Sequence, residues 1–170
     1  MLELSDIITD SIVDGPGIRT TVFCQGCPHH CPGCHNPHTW EFGCGTEISE
    51  ESVLEIIRSN PLCRGVTFSG GEPFAQAEAF AKLARLLKKA GYEVASYSGY
   101  TFEALQNGTP AQKDLLSTID VLIDGPYLQQ ERSLELSFRG SRNQRILNVP
   151  ASLLAGNPIL ITQGRWAGEY

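Results

Sequence analysis

Apolar and polar positions along this chain follow two periods in turn. Residues 19–23, Arg-Thr-Thr-Val-Phe, are rich in β-branched side chains and read as a strand that runs straight into a cysteine-bearing loop. Val53, Ile56 and Ile57 then recur at helical spacing behind Ser49, a good N-cap, and Pro61 marks the end of that helix. A short strand at 66–68 precedes the clearest element of the chain. There Phe80, Leu83, Ala84 and Leu87 make one apolar stripe, Glu78 and Lys82 are spaced to pair on the outside, and Gly91 supplies a C-terminal cap. Further strand-like runs fall at 93–96, 121–123, 146–149 and, more weakly patterned, 159–162. Strands alternating with helices predict an α/β fold on a mainly parallel sheet. Five or six strands are too few for a complete eight-fold barrel, so the expectation is an open, partial β/α barrel. Its site should lie in the loops at the carboxyl ends of the strands, at 24–38, 69–73, 97–101 and 124–127.

Composition narrows the class without changing the fold. The 170 residues are 41% hydrophobic and 19% charged, with no repeat or linker, which is the profile of one soluble domain over 1–170; the tail at 151–170 has no evident role. A net charge of -6 argues against nucleic acid as the direct partner, and no apolar run reaches membrane-spanning length. The first residues lack the basic and apolar regions of a signal peptide. Six cysteines are therefore expected to be metal ligands and free thiols of a cytoplasmic chain rather than a disulfide framework.

Candidate chemistry is concentrated in one loop, because four of the six cysteines and all four histidines fall between Cys24 and His38. Its core is the spacing Cys27-x3-Cys31-x2-Cys34, in a segment stiffened by Pro28, Pro32 and Pro37. Three thiolates so spaced can wrap one face of a cubic iron-sulfur cluster and leave the fourth iron open, which suits reactivity better than electron storage. Gly70-Gly71-Glu72-Pro73 is the second candidate: two glycines allow close backbone approach to a ligand, Pro73 is preset for the first helical position, and a helix amino end follows.

The cysteine spacing is the signature of the radical S-adenosylmethionine enzymes, and the Gly-Gly-Glu-Pro stretch resembles their cofactor loop. Within that superfamily, several stretches resemble the anaerobic ribonucleoside-triphosphate reductase activating proteins. These are Asp14-Gly15-Pro16-Gly17-Ile18-Arg19, Gly26-Cys27-Pro28, Cys34-His35-Asn36-Pro37 with Thr39-Trp40, Ser98-Gly99-Tyr100, Asp124-Gly125 and Phe138-Arg139-Gly140-Ser141-Arg142-Asn143-Gln144, and the resemblance runs from about residue 6 to about residue 147. Activases of pyruvate formate-lyase share the first and third of these, whereas the Gly-Ser-x-Asn-Gln stretch favours the reductase activase. The resemblance implies two cofactors, a 4Fe-4S cluster and S-adenosylmethionine. It also implies an external low-potential electron donor such as flavodoxin, and the anaerobic reductase as the protein substrate that receives a glycyl radical. By the same analogy Cys27, Cys31 and Cys34 ligate iron, Gly33, Cys34 and His35 flank the adenine, Gly70, Gly71 and Glu72 hold the methionine end, and Asp124 contacts the ribose or carboxylate.

Other residues have plainer readings. Cys24 raises the alternative of a four-thiolate site, ferredoxin-like or zinc-binding, but at the end of a strand it reads as a small buried hydrophobe. Cys44 and Cys63 are isolated. His29 and His30 read as solvated loop residues, and Trp40 as a core anchor beneath the loop. Arg132, Arg139, Arg142 and Arg145 form either a docking patch for the partner or an ordinary solvated face.

Overall fold

The computed structural model describes residues 1–169. Seven strands form one open sheet: β1 (Leu2–Ser11), β2 (Arg19–Cys24), β3 (Thr46–Ile48), β4 (Gly65–Gly70), β5 (Glu93–Tyr97), β6 (Val121–Asp124) and β7 (Arg145–Asn148). Their order is β3-β1-β2-β4-β5-β6-β7. β2, β4, β5 and β6 are parallel and make the centre, whereas β1, β3 and β7 pair antiparallel at the edges. Five α-helices lie among the described residues: α1 (Glu50–Arg58), α2 (Ala77–Lys89), α3 (Phe102–Gln106), α4 (Pro110–Thr118) and α5 (Val149–Ala155). No helix among the described residues is long and apolar enough to cross a membrane.

The expected partial barrel is present, with instructive differences. β1 was not foreseen. Its ladder with β2 slips between Leu4 and Asp6, so the apolar positions Leu2, Leu4 and Ile7 lose strict alternation and the strand signal with it. The strand expected at 146–149 runs antiparallel to β6 and stops at Asn148, which caps α5 by accepting from Ala151 N–H. Residues 159–162 contribute a single bridge, Leu147 to Leu160, rather than a strand. Lys82 turns away from Glu78 and bonds Glu50 and Glu51 of α1 instead, tying two helices together.

Local signals read correctly elsewhere. Ser49 Oγ accepts from Ser52 N–H at the start of α1, and α2 ends in a Schellman motif in which Gly91 N–H reaches Lys88 O and Tyr92 N–H reaches Leu87 O. The stripe Phe80, Leu83, Ala84 and Leu87 is fully buried against Val66, Phe68, Val94 and Leu122 on the outer face of the sheet. Phe68 meets Phe80 edge-on at 4.8 Å. Phe68→Ala is expected to cost about 3–5 kcal/mol, read as a lower urea midpoint at unchanged slope; a cost under about 1 kcal/mol would sink this account of the core.

The inner face of the sheet carries a smaller second core, Ala95, Val121, Ile123 and Ile146, closed by Trp166 from the tail. Near the amino ends of the strands the fully enclosed Arg19 donates to Thr67, Val66 O and Glu93. Its guanidinium lies 5.1 Å from the Trp166 ring, and Trp166 Nε1 donates to the same Glu93. The tail is thereby fixed to the floor of the half-barrel.

Candidate active site

The carboxyl ends of the four parallel strands open onto a cavity of about 350 Å³, walled by the loops that follow them. Cys27, Cys31 and Cys34 line it, and Cys24 does not. The last residue of β2, Cys24, is fully buried in the outer core, where burial pushes its thiol well above the ordinary range. The loop turns back on itself through three residues of positive φ, Gly26, His30 and Gly33. Burial raises the Cys27 thiol against the opposing effect of the His29 and His30 backbone N–H groups, and Asn36 N–H donates to Cys34 Sγ at 3.3 Å. Amide donors aimed at cysteine sulfur are what cluster thiolates require, so the residues present fit an iron-sulfur group. Among the described residues no three His, Cys, Asp or Glu side chains converge at single-ion distance.

The glycines after β4 do something the sequence did not disclose. A side chain at Gly71 would meet Gly26 O at 2.3 Å, and one at Gly70 would meet Cys24 N at 2.6 Å. The space they leave is thus filled by the backbone of the cysteine loop, and short bonds seal the joint: Gly71 N–H to Cys24 O at 2.8 Å and Glu72 N–H to Gly26 O at 2.9 Å.

Glu72 ties the loops to one another. Fully buried, its carboxylate accepts from Phe74 N–H (3.0 Å) and Ser98 Oγ (2.9 Å) on one oxygen, and from His29 Nε2 (2.6 Å) and Gly99 N–H (2.8 Å) on the other. Four donors match the lone pairs of a carboxylate, so both oxygens are turned to protein rather than to the methionine end of a cofactor. His29 accordingly is not solvated: its side chain is 19% exposed and its ring packs edge-on against Tyr100 at 4.5 Å. His30 is exposed and stacks flat on Trp40 at 4.7 Å, which makes Trp40 a half-buried wall of the cavity rather than a core anchor.

The remaining expected residues divide. Gly70, Gly71, Glu72, Cys34 and His35 line the cavity, and His35 faces the Tyr127 ring at 5.0 Å. Gly33 lies behind, against Gln129. Asp124 points away from the cavity: 1% exposed, it accepts from Phe102 N–H and holds Arg145, which also reaches Glu103. That pair fastens β6 to β7, since Asp124 and Arg145 are register partners. Nor do the four arginines make one patch, because Arg145 is so engaged and Arg139 is half-buried in the cavity wall while Arg132 and Arg142 are exposed.

Relatives of known name share this framework. A family model described as a 4Fe-4S single cluster domain matches residues 13–147. The anaerobic ribonucleoside-triphosphate reductase-activating protein of Vibrio cholerae is 35% identical over 144 residues, 79% of this chain and 90% of its own length. That of Escherichia coli K12 is 33% identical over 141 residues, again covering 90% of its length. The chain belongs to that family. Pyruvate formate-lyase-activating enzyme of Clostridium pasteurianum is 41% identical over 149 residues, yet the match covers only 60% of the relative. A crystal structure of QueE from Escherichia coli has a TM-score of 0.50 at 24% identity, over 59% of this chain and 53% of that one, and shares the fold.

Proposed function

We propose that this member of the family is an activase that cleaves S-adenosylmethionine reductively and generates a glycyl radical on anaerobic ribonucleoside-triphosphate reductase. The observation that carries the reading is the division of the cysteines: three open onto the cavity at the carboxyl edge of the sheet while Cys24 is turned into the core. Such a set serves three corners of a cluster and leaves the fourth to a cofactor, which disfavours a four-thiolate carrier or zinc module. Held by Cys27, Cys31 and Cys34, the cluster would supply the reducing electron, received from an external low-potential donor such as flavodoxin, for cleavage of S-adenosylmethionine to methionine and a radical able to take a hydrogen atom from a glycine of the partner.

This chain's residues position and shield those groups. Cys27, Cys31 and Cys34 would hold iron, with the loop amides stabilising charge on their sulfurs. Cys34 and His35, the latter beside Tyr127, suit the adenine, with Gly33 shaping the turn behind them, and Gly70 and Gly71 form the wall facing the methionine end. Asp124 takes no part, being bound to Arg145. We read 1–170 as one domain of a cytoplasmic protein, its tail included, because Trp166 closes the inner core.

Cys27→Ala, Cys31→Ala and Cys34→Ala are each expected to abolish a full 4Fe-4S complement on anaerobic reconstitution, by iron and sulfide analysis, while Cys24→Ala retains it. The activity itself is tested by mixing reconstituted protein, reductant, S-adenosylmethionine and anaerobic reductase. A doublet radical signal on the reductase with 5'-deoxyadenosine is the expected result; a signal on pyruvate formate-lyase and none on the reductase would overturn the partner.

A further inference from the structure

We infer that Arg139 is the cation that receives the carboxylate of the amino-acid end of S-adenosylmethionine, an inference that rests on the function proposed above. Among the residues lining the cavity, Arg139 is the single lysine or arginine. The acidic, imidazole and thiol groups lining the cavity are Glu72, whose oxygens are filled by protein donors, Asp14, which accepts from Ser11 and Thr21, the histidines His29 and His35 and the three cysteines; Arg139 also lines an adjoining cavity with Glu135, with which it makes no ion pair. Unlike the other two arginines drawn into the structure, Arg19 with Glu93 and Arg145 with Asp124 and Glu103, Arg139 has no acidic partner among the described residues. Its Nε is buried without any hydrogen-bond partner, and one Nη1 contact of 3.3 Å to Gln144 O is all the protein offers it.

A buried guanidinium nitrogen without a partner is costly, and the planar fork of an arginine matches a carboxylate at two points. The neighbouring backbone is held as though to aim it. Phe138 has a left-handed φ of 61°, a conformation a bulky residue keeps only where its surroundings impose it. Here they do. Tyr97, whose phenol burial pushes upward and so keeps protonated, donates to Phe138 O at 2.7 Å, and the Trp166 ring packs edge-on against the Phe138 ring at 5.4 Å. On the other side Gly140 N–H and Ser141 N–H both donate to Gln144 Oε1. Arg139 thus sits between two tethered points on the wall of the cavity, with donors to spare.

The test compares equilibrium binding of S-adenosylmethionine and of its decarboxylated analogue to reconstituted parent, Arg139→Gln and Arg139→Lys proteins. Arg139→Gln should weaken S-adenosylmethionine by roughly tenfold to a hundredfold and the decarboxylated analogue hardly at all, as expected for loss of a charged, two-point contact. Arg139→Lys, which keeps the charge and loses the fork, should fall between them and remains informative if the glutamine variant folds poorly. Iron and sulfide content should be unchanged in both. Equal weakening of the two ligands, or no weakening of either, overturns the assignment while a parent that binds S-adenosylmethionine leaves the activase reading standing. A parent that binds neither ligand overturns both.

Discussion

Gly71→Val is expected to eliminate cluster loading and S-adenosylmethionine binding together. Opening the glycine loop to a ligand would make this change selective for the cofactor. The structure dictates otherwise, because the new Cβ would lie 2.3 Å from Gly26 O and 2.8 Å from Gly26 C, both backbone atoms of the cysteine loop. Neither can yield without breaking the bonds from Gly71 N–H to Cys24 O and from Glu72 N–H to Gly26 O. The loops must part, with a stability loss of about 3 kcal/mol, at the upper end of overpacking costs. Iron and sulfide analysis after anaerobic reconstitution, followed by equilibrium binding, reads both effects. A variant with a full cluster and impaired cofactor binding would show that the glycine pair faces the ligand alone.

Glu72→Gln should cost nearly as much, although it changes one atom. The carboxylate accepts four hydrogen bonds, two per oxygen; an amide places an NH2 group against two of those donors, His29 with Gly99 or Phe74 with Ser98. Leaving buried donors facing a donor costs about 3 kcal/mol, whereas Ser98→Ala, which removes one donor and keeps the acceptor, should cost about 1 kcal/mol. Chemical denaturation checks both values. Diethylpyrocarbonate adds an independent measure, since His29 released from Glu72 should be modified faster than in the parent. An unchanged midpoint and an unchanged His29 reactivity would show that the hub does not hold the loops.

What the sequence disclosed of this site follows from how local each signal is. β4, β5 and β6 are short runs rich in apolar residues, of which β4 stops at Gly70, β6 at Asp124 and β5 at Tyr97 just before Ser98-Gly99, and the cysteine spacing lies within eight consecutive residues, so both were legible. α4 also announces itself locally, in a capping box between Thr109 and Gln112, but its buried residues are only Leu115 and Leu116 and it has no long stripe. The Glu72 hub joins residues 26 to 43 positions apart, and no periodicity records such a pairing. Asp124 illustrates the reverse error: an acidic residue at a strand end looks like a ligand contact until β7 arrives antiparallel and sets Arg145 opposite it. Arg139 was hidden among neighbouring arginines, and only the fold separates the one in the cavity wall from those in solvent.

Trp166 and Arg19 stopper the half-barrel at the amino ends of its strands, which makes the cavity a cul-de-sac. The small molecules the reaction consumes and makes then share one doorway. A partner protein that docks across that opening to present its glycine becomes the door. S-adenosylmethionine would then have to be in place before such a partner docks, and the small products would leave after it. A vestibule with a single mouth suits an activator whose product is a radical on another chain.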